Sequence, residues 1–597
     1  MQTITDPHLQ FASLFENKVV EPYAYILSKK ISEGNICVEL DNLNIENFED
    51  FPFDEIQPKD ELIKQTNLVS SDPSIKKPFI IEGNLLYLHR YFVYENIIFN
   101  KIKQSINFEN SQLTQRIKEL NALQPLIKNL FTDSESRQGL LPEEKTDWQL
   151  VAAINTLLHQ FSIITGGPGT GKTTTVAKIL ALIYASDPDE KVALAAPTGK
   201  AGMRMAESLR NTTINLSEDL KEKFNQLKPY TIHRLLGYQK NTPYFKHNEN
   251  NHLPITTLII DESSMIDVAL FAKLMTAVSV NTRVILLGDK NQLASVEAGS
   301  IFGDLCDTSF IENAVTNERR TFINQFIEET ERKINNDFEI NNSSHPLLHH
   351  ITCLKRSRRF NSNEGIGKIS KSIINSDIAN FSSYFDNKDE KVIYDEKYNE
   401  KLFEETVLNY KLFIEEKDIT KALKYLNELR VLCAVKESEE GVYFINKRIE
   451  NILKSHKLID VKNEFYHNRP IIVTSNNYNL GLFNGDTGII RQEGNHVVAW
   501  FEDAEKGVKK VLPGFITSYE TVYAMTIHKS QGSEYNKVLI VLPKHLNNEL
   551  LTRELLYTGV TRAKNKVIIQ SSKEVAIHTV NSRVKRVSGI SDKFNLI

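Results

Sequence analysis

From Ser162 to Thr175 the chain reads SIITGGPGTGKTTT. This fits G-x-x-x-x-G-K-[ST], in which a tightly turning glycine-rich backbone aims successive N–H groups at an anion. A β-branched run at 163–165 leads into the glycines and helix-forming residues follow Thr174, so the loop lies between a strand and a helix N-terminus, where phosphate is favoured. Gly166, Gly167, Pro168, Gly169, Thr170, Gly171 and Thr174 are the expected cradle for a nucleotide phosphate. Lys172 adds a point charge near the β- and γ-phosphates, and Thr173 offers a hydroxyl to Mg²⁺.

The remaining chemistry-bearing residues follow apolar runs. Leu258-Ile259-Ile260 ends in Asp261 and Glu262. Side chains alternate at a strand end, so Asp261 can enter the Mg²⁺ shell while Glu262 addresses an in-line water as general base. Gln292, after Leu286-Leu287-Gly288-Asp289, is suited to sensing a γ-phosphate or to bonding its own loop. Two arginines, Arg359 in KRSRRF and Arg562 in YTGVTRAK, are expected in a second domain, from which a guanidinium could reach the γ-phosphate or form an ordinary interdomain ion pair. Gln149, some twenty residues before the loop, could meet an adenine edge. Thr198, Lys200, His233, Arg234, Thr526, His528 and Lys529 combine hydroxyls, imidazoles and cations suited to phosphodiesters, and Glu534 could reach a ribose hydroxyl.

These residues need a scaffold, and the apolar runs supply one. Runs at 162–165, 192–196, 257–260 and 284–287 are continuously apolar and β-branched, as strands covered by helices on both faces must be. A doubly wound parallel α/β sheet binds ligands beyond the carboxyl ends of its strands, where these motifs fall. A second series is expected from 351, with strands at 430–435, 471–474, 521–525, 538–542 and 567–570, and a small β-barrel inserted at about 465–520. The expected divisions are an N-terminal α+β docking domain (1–140), a first motor domain (141–350) with a polar surface hairpin at 239–254, and a second motor domain (351–597). The docking domain should hold a short strand at 36–40, a hairpin over 77–88 and a helix from 89 to 120. The polar stretch 312–349 is expected to hold a helix and a mobile connection.

Bulk properties narrow the class. A chain of 597 residues exceeds one core and suggests about three to five domains. Hydrophobic content of 41% and charged content of 25% are those of a soluble protein. No apolar run approaches the ~18 residues of a membrane span, and Asp6 and Pro7 interrupt any leader, so the expected location is the cytoplasm. Four scattered cysteines, Cys37, Cys306, Cys353 and Cys433, point to buried thiols rather than zinc or disulfides. A net charge of −4 restricts any nucleic-acid site to a local basic groove.

Taken together, GGPGTGKTTT, APTGKA (196–201), TIHRLLG (231–237), DESSM (261–265), LGDKNQLASVEAG (287–299), SRRF (357–360), GLFNGDTGI (481–489), AMTIHKSQGSE (524–534) and YTGVTRAK (557–564) resemble the superfamily 1 helicases. Within them the chain is most similar to the RecD-type motor chains of RecBCD (exodeoxyribonuclease V) complexes. The resemblance runs from about Trp148 onward and more weakly through 34–40 and 86–95. It implies two RecA-like P-loop domains, ATP and Mg²⁺, 5′→3′ movement on single-stranded DNA at a duplex end, and RecB-like and RecC-like partners in double-strand break repair and recombination. It also implies that Lys172, Thr173, Asp261, Glu262, Gln292, Arg359 and Arg562 make the ATPase site, and that Thr198, His233, Thr526 and His528 contact DNA. No separate carboxylate cluster suggests a nuclease, which belongs to a partner on this reading. A stand-alone helicase, an ATP-binding scaffold with vestigial hydrolysis and an RNA substrate remain open at this stage.

Overall fold

The computed structural model describes residues 6–596 apart from 42, 44–50, 73, 133–136, 213–215, 241, 308–309, 341–344, 387, 478, 504–506 and 547–548. Four sheets organise it. In the first, Cys37–Glu39, Leu85–Leu88, Phe79–Glu82 and Val69–Ser70 lie side by side, with the hairpin antiparallel about Gly83-Asn84. The long helix His89–Ala122 follows and runs onto the next sheet.

Six parallel strands make the second sheet, in the order Ile351–Leu354, Phe161–Gly166, Arg283–Gly288, Thr257–Ile260, Val192–Ala196 and Pro229–Thr231. Phe161–Gly166 is buried throughout, as a central strand with helices on both faces requires. Strand Ile351–Leu354, assigned by sequence to the second series, is the edge of this sheet, paired with Phe161–Gly166. The chain therefore leaves the first unit after Leu354, not before Ile351.

The third sheet is also parallel: Val392–Asp395, Ala563–Gln570, Tyr535–Val541, Leu429–Cys433 and Ala524–Thr526. Sequence reading missed its edge strand Val392–Asp395, whose single flanking neighbour leaves it without a continuous apolar signature. The run 471–474 belongs elsewhere. Pro470–Val473 joins the fourth sheet, an antiparallel set ordered Gly507–Val511, His496–Asp503, Thr487–Glu493, Pro470–Val473 and Tyr519–Thr521. This is the expected insertion, but among the described residues its two edge strands do not pair, so it is an open sheet rather than a barrel. The run 521–525 is split at Val522-Tyr523, with Tyr519–Thr521 in the insertion and Ala524–Thr526 in the parallel sheet.

The polar segment 239–254 carries the antiparallel bridges Tyr238↔Phe245 and Asn248↔Asn251 and hangs from the helix Ile232–Leu236. In 312–349, helix Asn317–Asn324 is present, and 341–344 lie outside the described residues. The end of the chain also departs from the expected division, because Ile590 and Phe594 are buried in the core formed by the N-terminal helix and the first parallel sheet. Among the described residues no helix is long and apolar enough to cross a membrane.

Candidate nucleotide site and nucleic-acid face

Gly169 and Gly171 have φ of +79° and +85°, the left-handed region that admits glycine without strain. Gly169 also allows a close approach: a Cβ there would stand 2.5 Å from Arg359 Cβ and 2.9 Å from Ser357 Oγ. Gly171 caps the helix Lys172–Ser186, so the helix N-terminus opens onto the loop. Lys172 Nζ donates to the carbonyls of Gly166 (2.6 Å) and Gly167 (3.2 Å). The ammonium is thus held inside the loop.

Across the loop lie the two carboxylates. Asp261 Oδ1 accepts the Glu262 N–H at 2.9 Å, with Glu262 at φ +51°. Desolvation, followed by the Glu262 charge, raises the Asp261 carboxyl to about 7, against the opposing pull of Lys172. Gln292 Nε2 donates to Asp289 Oδ2 (2.9 Å) and Tyr557 OH donates to the same oxygen (3.1 Å). Gln292 Oε1 is buried without a partner.

The second parallel unit closes the far side. The Arg358 N–H donates to Gly169 O (2.8 Å) and Ser357 Oγ to Pro168 O (3.0 Å), so the segment bearing Arg359 lies against the phosphate loop. Arg359 Nη2 bonds Glu534 Oε1, while its Nη1 is buried without a partner. Arg562, 4% exposed, donates from Nη1 to Ser533 O (3.2 Å) and from Nε to Thr558 O (3.1 Å). Burial lowers its pKa, and the nearby carboxylates of Glu262, Glu534 and Asp289 oppose that shift. A Cβ on Gly167 would reach Tyr557 OH at 2.9 Å, five residues before Arg562 in the same motif. The Arg359 segment therefore packs on the loop around Lys172, while Arg562 lies within electrostatic reach of Glu262.

Gln149 Nε2 donates to Thr170 O at 3.1 Å. It lines a cleft with Phe131, Trp148, Lys178 and Arg358. The Glu534 carboxylate is paired with Arg359 and lies 3.5 Å from Lys564.

The expected nucleic-acid residues divide into two sets. His233 and Arg234 are exposed, with His233 packed edge-on to Phe245 and Arg234 over Tyr230. The others are partly spoken for. Thr198 Oγ1 caps its helix by accepting the Ala201 N–H, Thr526 Oγ1 accepts the Lys529 N–H, and Lys529 Nζ pairs with Glu520 at 2.7 Å. Lys200 donates to Gly485 O of the insertion at 3.4 Å. Lys200 and Lys529 thus both contact the insertion, at Gly485 and at Glu520.

Residues overlooked in the sequence complete the cleft. Arg204 bonds the Gly532 carbonyl, Leu293 N–H donates to Thr558 Oγ1 (3.0 Å), and Gln531 Nε2 donates to Leu293 O (2.8 Å). Tyr557 and Asp289 stood inside recognised motifs, whereas Arg204 carried no sequence signal. A metal ion is suited by the oxygen donors of Thr173 and Asp261, and a divalent charge there would relieve the desolvated carboxyl pair.

A second cluster, Glu109, His159 and His350, places three ligand atoms within 4.8 Å. His159 Nδ1 and His350 Nε2 both face Glu109 Oε1, at 2.9 and 3.1 Å. Arg319 Nη2 lies 3.5 Å from His159 Nε2, so Nε2 accepts and Nδ1 carries the proton given to Glu109. That tautomer makes a hydrogen-bonded clamp, not a metal ligand.

Residues 149–298 match the family described as an AAA domain, and residues 521–570 match the family described as a UvrD-like helicase C-terminal domain. The chain is 35% identical over 517 residues to the RecBCD enzyme subunit RecD of Haemophilus influenzae, covering 80% of this chain and 78% of that one. It is 31% identical over 575 residues to the RecBCD enzyme subunit RecD of Mycobacterium tuberculosis, covering 94% and 89%. The ATP-dependent RecD2 DNA helicase of Deinococcus radiodurans is 26% identical over 440 residues, covering 72% of this chain and 49% of that one.

Proposed function

The chain belongs to the RecD family of RecBCD enzyme subunits, and from that membership we propose how its residues work as an ATP-dependent DNA helicase motor moving 5′→3′. The observation that carries the reading is the packing of the Arg359 segment on the loop that holds Lys172, with Arg562 within electrostatic reach of Glu262. Lys172 and the loop N–H groups bind the triphosphate, and Gln149 orders the base side of the cleft. Thr173 and Asp261 would hold Mg²⁺, whose charge would offset the negative charge building on the phosphates. Glu262 takes the proton of the attacking water. Gln292 senses the γ-phosphate, and the two guanidinium groups stabilise its departing charge. Hydrolysis then requires both units to touch the nucleotide, so each turnover changes the cleft that Leu293, Gln531 and Arg204 bridge. Strand-binding loops at 198, 233–234 and 526–528 move with it.

The chain acts beside RecB-like and RecC-like subunits in the cytoplasm, with the N-terminal unit as the docking domain and any nuclease in a partner. Alignment over most of the length of the RecD subunits, against half of the RecD2 helicase, favours this over a stand-alone enzyme. Duplexes with a single 5′ tail should be opened and 3′-tailed ones left intact. Opening of 3′-tailed duplexes alone would reverse the assigned polarity.

A further inference from the structure

After helix Lys573–Asn581 the chain turns back across the cleft. Val584 N–H still donates to Glu554 Oε2 of the second unit (3.1 Å). Beyond it Val587 N–H donates to Asn35 Oδ1 (2.9 Å) and Gly589 N–H to Glu95 Oε2 (2.8 Å), both in the N-terminal unit. Arg586 lies at the crossing. Its Nη2 donates to Ser295 O at 2.7 Å and its Nη1 to Glu297 O at 3.4 Å. These carbonyls belong to the loop that starts at Gln292, the proposed γ-phosphate sensor.

The guanidinium also meets the N-terminal unit. Gly34 has φ of +94°, and a Cβ there would stand 2.6 Å from Arg586 Cζ; Gly34 O accepts the Gly299 N–H at 2.9 Å. The same loop meets the second unit at its other end, where Leu293 O accepts from Nε2 of Gln531 (2.8 Å), three residues beyond His528. Among the described residues no carboxylate forms an ion pair with Arg586. Its hydrogen bonds go to the backbone of one loop, an arrangement that fixes loop shape, and the Asp304 carboxylate is the charge that opposes the effect of burial on it.

We propose that Arg586 is a positioning residue that holds the 292–299 loop in register with the loop carrying His528, so that strand binding is passed to Gln292 at the triphosphate. The inference rests on the helicase reading above. ATP hydrolysis by the full-length chain, with and without single-stranded DNA, tests it in Arg586→Ala, Arg586→Lys and Gly34→Ala. In Arg586→Ala the DNA-free rate and the KM for ATP should stay within about twofold, while the DNA-stimulated kcat falls roughly tenfold. Lysine should restore part of the stimulation. Gly34→Ala, which keeps the guanidinium but displaces it, should reproduce the loss. Full stimulation in a folded Arg586→Ala protein overturns the proposal. So does a parallel fall of basal and stimulated rates with a lowered Tm, which marks a merely structural arginine. A wild-type chain that DNA does not stimulate would instead remove the helicase reading, and this inference with it.

Discussion

Asp261 is built for function at the expense of stability. Its carboxyl is raised to about 7 by desolvation and by Glu262, so between about 4 and 7 the folded protein holds a proton that the unfolded chain releases. Folding stability at this site is therefore full below the unfolded pKa and declines as pH rises through the folded one. Asp261→Asn should raise the Tm of the nucleotide-free protein at pH 8 by about 2–4 °C, lose that gain near pH 4, and hydrolyse no ATP. A Tm at pH 8 equal to or below wild type would remove the strain argument. Position at this scale is legible where a motif fixes both type and spacing, as for Lys172 and Asp261, whose charges interact across the loop. That of Arg204 and Arg586 is not, because each acts on a backbone carbonyl far away in sequence and nothing local marks such a partner.

At the scale of elements, helix His89–Ala122 is fastened to the catalytic sheet by Glu109. Its Oε2 accepts the Gln160 N–H at 2.6 Å, and its Oε1 faces His159 and His350, the residues just ahead of strands Phe161–Gly166 and Ile351–Leu354. The Glu109 carboxyl is held below its ordinary range although burial alone would raise it, because His350 and His159 stabilise its charge. Burial and the neighbouring His350 lower His159 to about 3. Both shifts act in one direction: as pH falls below about 6.5 the unfolded chain takes up protons that the folded clamp refuses, and stability declines. His159→Gln keeps a donor for Glu109 but cannot titrate. Between pH 8 and 5.5 its Tm should fall less than that of wild type. An equal fall, measured by calorimetry, would place the acid sensitivity elsewhere. The helix itself was readable from its three- and four-residue periodicity, and the hairpin from Gly83-Asn84. The pairing of Ile351–Leu354 with Phe161–Gly166 was not, because a short parallel edge strand records nothing about which sheet receives it.

Across the whole molecule, two parallel sheets face one nucleotide cleft, and the chain joins them twice. It crosses once at 355–364 and again at 582–587, where it returns to the N-terminal unit. The second crossing makes the three units one mechanical assembly, with an insertion contacted by Lys200 and Lys529 at its margin. The order of motifs along the chain foretold the two sheets and their shared cleft. The open insertion and the returning segment were hidden, since closure of a sheet and docking of a terminal helix depend on long-range packing rather than local pattern. The central claim is that hydrolysis is completed only from the far unit. It is tested most directly by DNA-stimulated ATP turnover in Arg562→Ala, with ATP affinity measured in parallel. The account predicts affinity within a few-fold of wild type and turnover lower by about 10³. Turnover close to wild type in that variant would contradict it.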